Sequence, residues 1–138
     1  MIKTPVNVVI DTNVIISSIV FGGKPKQILK LVQESKINAI TSPILLAELL
    51  EVLVKKFHFT TDKIILVNEL VKENFILVYP NETVDVVNDE DDNRVLEAAI
   101  KGKCSYILTG DRDLLDLITF EKIIITTPGE FLKNLDIN

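Results

Sequence analysis

The stretch that decides the fold is Val6-Asn7-Val8-Val9-Ile10, closed by Asp11-Thr12-Asn13. Four of its first five residues are aliphatic and β-branched, and together they form a short, nearly continuous apolar run. That pattern belongs to a strand buried on both faces. A strand covered above and below needs helices on either side, and the flanking sequence supplies them. Asp11-Thr12-Asn13 offers turn and N-cap chemistry for the helical run that follows. Gly22-Gly23 interrupts that run, and Pro25 suits the first turn of a second helix, through about Glu34.

Further along, the same alternation repeats. A strand is expected over Ile37 to Thr41. Ser42-Pro43 pairs an N-cap with proline at the first helical position, which predicts a helix to about Lys56. Thr61-Asp62 opens another helix to about Glu73, followed by a strand from Phe75 to Tyr79 that Pro80 closes. Asp91-Asp92 starts a helix running to Lys101, stopped by Gly102. Tyr106 to Thr109 reads as a strand, Asp113 to Leu117 as a short helix, Lys122 to Thr126 as a last strand. Pro128-Gly129 leads into a terminal helix near Leu132. Strands separated by helices require crossover connections. The expectation is therefore α/β: three α/β/α layers around a mostly parallel sheet of about five strands. In such sheets ligands lie beyond the carboxyl ends of the strands.

The totals are consistent with one folding unit over residues 1–138. Apolar residues make up 47% and charged residues 25%, the balance of a soluble globular protein. The longest near-apolar stretch, Val14 to Phe21, is broken by Ser17 and Ser18 and is too short to span a bilayer. No secretory-signal pattern is visible. The single cysteine, Cys104, excludes an intramolecular disulfide and a cysteine-built zinc cage, and reads as a small core residue. A cytoplasmic location with no membrane partner is expected. The net charge of −5 argues mildly against a nucleic-acid binder. A site that gathers carboxylates around a cation carries that bias by construction, however, and the ion's charge is not in the count.

Where the acids fall matters more than their number. Asp11 follows the most buried strand directly, and Asp111 lies just beyond the strand Tyr106 to Thr109, at the same edge. Asp113 stands two positions on, and Asp91 and Asp92 open a helix, where the dipole favours negative charge. Taken singly, each could cap a helix, and Asp89-Glu90-Asp91-Asp92 could be a solvated loop. Their joint placement at one sheet edge favours a shared site. Glu48 is expected to lie within an apolar stripe of Ile44, Leu45, Leu49 and Val52, where a charge is costly unless paired or coordinating. Glu51 has Lys55 one turn on and reads as half of a solvated ion pair. Other chemistries fit poorly. The one histidine, His58, sits between Phe57 and Phe59 with no nucleophile motif beside it. Gly22-Gly23-Lys24 lacks phosphate-loop spacing, and no G-x-G-x-x-G occurs.

These residues bring a family into view. Over nearly its full length the sequence resembles PIN domains. The matching elements are Val8-Val9-Ile10-Asp11-Thr12-Asn13-Val14, Ser42-Pro43 leading to Glu48, Asp91-Asp92-Asn93 leading into Val95-Leu96-Glu97-Ala98-Ala99, and Ile107-Leu108-Thr109-Gly110-Asp111-Arg112-Asp113-Leu114-Leu115. It is most similar to prokaryotic toxin-like PIN proteins related to VapC-type ribonucleases, although Gly110 stands where that branch commonly carries a charge. The resemblance implies a helix-flanked parallel sheet, Mg²⁺ or Mn²⁺ at an acidic pocket, cleavage of single-stranded RNA, and a homodimer. A toxin role would bring an antitoxin partner. Asp11 becomes the first metal ligand, Glu48 the second acid, and Asp111 the acid after the fourth strand. The third is Asp91 or Asp92. Asp92 is favoured because Val95 and Ala99 then fall as in the family's helix.

The expected catalytic set is therefore Asp11, Glu48, Asp92 and Asp111. Asp11, Asp91, Asp92, Asp111 and Asp113 are the candidate metal ligands. Thr12, Asn13 and Thr109 are placed to orient them or their waters, and Lys24, Lys26 and Arg112 to contact RNA phosphates. The chemistry suits phosphodiester hydrolysis, because hard divalent cations prefer oxygen ligands. Three alternatives stand beside it. The first is a metal-dependent phosphohydrolase, against which Asn13 occupies the place of a needed second aspartate. The second is a signalling module of the response-regulator kind, which needs paired acids before the first helix and a suitably placed lysine, and neither fits well. The third is a PIN fold with weak catalysis that acts as an RNA-binding or interaction module.

Overall fold

The computed structural model describes residues 4–135; the expectation of one domain over 1–138 extends at both ends beyond the described residues. Six strands form one sheet: β1 Asn7–Ile10, β2 Asn38–Thr41, β3 Ile76–Leu77, β4 Tyr106–Leu108, β5 Thr119–Phe120 and β6 Ile123–Thr126. Seven helices accompany them: α1 Thr12–Val20, α2 Gly23–Gln33, α3 Pro43–Lys55, α4 Thr61–Asn74, α5 Glu90–Lys101, α6 Arg112–Leu115 and α7 Pro128–Asn134. The strand order is β3-β2-β1-β4-β6-β5, parallel throughout except for the β5–β6 pair. The expected α/β architecture is the one observed.

β1 lies at the centre, as its composition demands. Val8 and Val9 are fully buried, and successive side chains point to opposite faces. Val8 and Ile10 join the core formed with α1, α2, α3, α4 and α7, whereas Val9 joins the core under α5 and α6. β2 and β4 divide in the same way, with Ala39 and Leu108 on the first face and Ile40 and Ile107 on the second. Cys104 is a buried member of the second core. No helix among the described residues is long and apolar enough to cross a membrane.

Several boundaries differ from the expectation, for local reasons. The strand expected over Phe75 to Tyr79 is only Ile76–Leu77. Its partner β2 ends at Thr41, where Ser42 turns the chain into α3, so the Val78 amide donates to the Thr41 carbonyl at 2.8 Å and pairing stops. Phe75 is already spent as the C-cap of α4. At the other edge, Lys122 is not in the last strand. Glu121 and Lys122 both take positive φ (48° and 70°) and form a tight turn that folds β5 back antiparallel on β6. This adds a strand that the sequence did not announce. The cap residues also shift by one or two positions: Thr60 caps α4 and Asp89 caps α5, each by accepting an amide hydrogen bond through its side chain.

Candidate metal centre

The carboxyl ends of β1 and β4 are adjacent, and the acids gather there. Asp11 continues β1 by one residue, its amide donating to the Leu108 carbonyl at 2.9 Å. Its side chain is buried, 6% exposed, and makes no capping hydrogen bond to α1. The Thr109 hydroxyl, fully buried after β4, donates to Asp11 Oδ2 at 2.7 Å and accepts the Asp111 amide at 2.9 Å. One hydroxyl thus ties the first acid to the fourth. Asp111 in turn caps α6, its Oδ1 accepting from the amides of Asp113 (2.9 Å) and Leu114 (3.4 Å). That leaves its second oxygen outside the cap.

The third acid comes from α5. Asp89 accepts the Asp91 amide at 2.8 Å, so the helix begins at Glu90 and Asp92 falls on its buried side. Asp92 is 6% exposed, while Asp91 points to solvent. Asp92 Oδ2 is shielded from solvent and has no hydrogen-bond partner among the described residues. Carboxylate oxygens of Asp92, Asp111 and Asp113 lie within 4.8 Å of one another. A buried, unsatisfied carboxylate oxygen is expensive by itself. Here it stands beside two more carboxylates, and the only ion pairs among the described residues lie elsewhere.

Glu48 comes near Asp11 and Asp91 from α3, but not as its sequence neighbours suggested. The buried face of α3 is Leu45, Leu46, Leu49 and Leu53; Ile44 is 54% exposed and Val52 only half buried. Glu48 therefore sits on the rim of the apolar face rather than within it. It nevertheless looks toward the acids. Partial burial, then the charges of Asp91, Asp11, Asp89 and Glu51, push its carboxyl up to about 7. Asp92 is likewise pushed up to about 7, by burial first and then by Asp111, Asp11 and Asp89. Burial also raises Asp11, with the Asp111 charge adding; the Thr109 hydroxyl and the Thr12 and Asn13 amides pull the other way. Glu51 is exposed and bonds Lys55 at 2.6 Å, as expected of a surface pair.

Of the remaining candidates, Thr12 is buried beside Asp11, whereas Asn13 is exposed. Arg112 is exposed between Asp111 and Asp113. Lys24 and Lys26 are not brought to the acids; they lie at the start of α2, where the Lys24 chain packs over Gly129 of α7. The sequence reading missed the clasp that holds α5. Asn93, 2% exposed, accepts the amides of Val86 and Val87, both at 3.0 Å, and donates to the Val87 carbonyl at 2.8 Å. Glu97 accepts the Val84 amide and pairs with Arg94, each at 2.8 Å. These bonds pin the segment before α5 against the helix whose first turn carries Asp92. Asn93 and Glu97, spaced like helix-surface neighbours, were the only signal.

An all-oxygen donor set, a buried oxygen without a partner and two carboxyls held near neutrality fit a hard divalent cation bound mainly by Asp92, Asp111 and Asp113. A family model described as a PIN domain matches residues 7–113, a span that takes in Asp11, Asp91, Asp92, Asp111, Asp113 and Glu48. An uncharacterized protein of Methanocaldococcus jannaschii is 33% identical over 149 aligned positions, which cover 99% of this chain and 96% of that protein. The chain belongs to the PIN domain family, whose members are generally nucleases that use divalent metals.

Proposed function

We propose that this chain is an endoribonuclease that cleaves single-stranded RNA with Mg²⁺ or Mn²⁺. The observation that carries the reading is the shielded, partnerless Asp92 oxygen within a cluster of three carboxylates. Asp92, Asp111 and Asp113 would hold the cation, with exposed Asp91 one residue before Asp92 on α5. Bound there, a divalent cation supplies positive charge against the phosphate and promotes attack by water. The residues do the rest. Thr109 holds the Asp11 carboxylate and the Asp111 backbone in one frame. The Thr12 and Asn13 amides favour the charged form of Asp11 without a formed capping hydrogen bond. Glu48, half-buried beside these acids, would accept a proton from the attacking water. Exposed Arg112 is placed to contact the phosphate beside the acids, and Lys24 and Lys26 to hold the strand farther off.

The likeness to VapC-type ribonucleases supports a cytoplasmic homodimer acting as the toxin of a toxin–antitoxin pair. The nuclease reading is tested with purified protein on mixed-sequence single-stranded RNA, in Mn²⁺ and in chelator, beside an aryl phosphate. RNA is expected to be cut only with metal and the aryl phosphate left intact, with Asp111→Asn slowing cleavage by orders of magnitude. An Asp111→Asn protein as fast as wild type would show the site to be wrong.

A further inference from the structure

α2 and α7 lie side by side, and a cleft of about 470 Å³ opens between them. Lys24 and Gln27 line it from α2, and Thr127, Gly129, Glu130 and Lys133 from the start and length of α7. Lys24 and Lys133 are both exposed, and neither pairs with a carboxylate among the described residues. Glu130 is the one acid lining the cleft. α2 starts without a side-chain cap, so its first amides add to the positive character. In a chain of net charge −5, this is a local cationic feature.

Its position is what gives it meaning. Thr127 follows β6 at the sheet edge where the acids gather. Leu108 of β4 pairs with Thr126 of β6, and Ile10 of β1 pairs with Leu108. Thr127, at one end of the cleft's lining, therefore lies two strand spacings, about 10 Å, from Asp11 along that edge. A polyanion whose scissile phosphate sits at the acids would place a neighbouring phosphate at the cleft. A surface lysine pair usually only solubilises. A concave pair on the catalytic edge, with hydroxyl and amide donors between, is suited to a phosphodiester backbone.

Resting on the nuclease reading above, we propose that the α2–α7 cleft holds the backbone of the RNA strand next to the scissile phosphate, through Lys24 and Lys133. The test is binding of a fluorescent 20-nucleotide mixed-sequence RNA, of about that length, to Asp11→Asn protein in chelator across a salt series. Adding Lys24→Ala and Lys133→Ala should weaken binding roughly fivefold or more. It should also lower the log–log salt slope by about 1.4, two contacts at about 0.7 each. Lys56→Ala with Lys72→Ala, an equal change of charge at the exposed C-cap of α3 and an exposed position of α4, should do neither. Equal effects from both pairs, or no effect from the first, would overturn the proposal. RNA binding that depends on Lys24 and Lys133 in a wild-type protein that cuts no RNA in Mn²⁺ would sink the nuclease reading and leave the cleft standing.

Discussion

Replacing Thr109 by valine deletes one hydroxyl and almost nothing else, at a site with no solvent access. Two hydrogen bonds go with it: the 2.7 Å bond to Asp11 Oδ2 and the 2.9 Å bond from the Asp111 amide. Water cannot replace either at a fully buried position. A hydrogen bond to a charged group contributes about 1.5–3 kcal/mol, and a neutral one about 1 kcal/mol. The loss is limited from one side, because Asp11 can respond by taking up a proton. Its carboxyl is already raised by burial and by the Asp111 charge, so that retreat is open. A net destabilisation of about 2–3 kcal/mol in chelator at mildly alkaline pH is expected, a fall of roughly 6–12 °C in Tm for a chain of this size. Thr109→Ser keeps the hydroxyl and loses one methyl, which costs about 1 kcal/mol. Urea and thermal unfolding of the three proteins in chelator measure the difference. A valine variant within about 1 kcal/mol of wild type, or a serine variant no better than valine, would refute the idea that this hydroxyl frames the two acids.

The acids also govern how stability follows pH. The folded-state carboxyls of Glu48 and Asp92 sit near 7, above their ordinary values of 4.5 and 3.8. The folded protein therefore binds more protons than the unfolded chain between those limits, and stability in chelator should fall as pH rises through about 7. Urea midpoints from mildly acidic to mildly alkaline buffer should show that decline, and millimolar Mn²⁺ should flatten it; a rise toward alkaline pH in chelator would contradict it. Asp92→Asn should stabilise the chelated protein at alkaline pH by about 1 kcal/mol after solvent screening is allowed for, while abolishing cleavage, and a loss of stability there would argue against repulsion at this site. Glu48→Gln should slow cleavage strongly and Glu51→Gln hardly at all, since Glu51 is engaged with Lys55 at the surface. Equal losses would mean that Glu48 does not serve the centre.

Much of the frame could be read from the residues alone, because buried strands and capped helices announce themselves locally. An aliphatic run ending in Asp11 has the pattern of an interior strand, which brings that acid to the ligand edge. Ser42-Pro43 is a good start signal for a helix. Choosing Asp92 over Asp91 was harder. Adjacent residues in a helix differ in direction by about 100°, and which one turns inward depends on how α5 packs. The Asn93 and Glu97 clasp was hidden because its partners are backbone groups of Val84, Val86 and Val87, which carry no side-chain signature. Glu48 was placed too deep because Ile44, counted as core, is exposed. The Glu121–Lys122 turn lacks the glycine or asparagine that usually marks such a bend.

That turn has a consequence for the carboxylates several strands away. With β5 folded onto β6 and β3 laid on β2, both margins of the sheet are strands of two residues. Margins so short give another chain little to pair with. The strands that deliver Asp11 and Asp111 are then interior ones, each zipped to a neighbour on both sides. To slide by one residue, β1 or β4 would have to break two ladders at once and turn its whole buried set outward. The spacing of the acids is thus held by registration of the sheet, and the ragged borders are what keep that registration from being renegotiated.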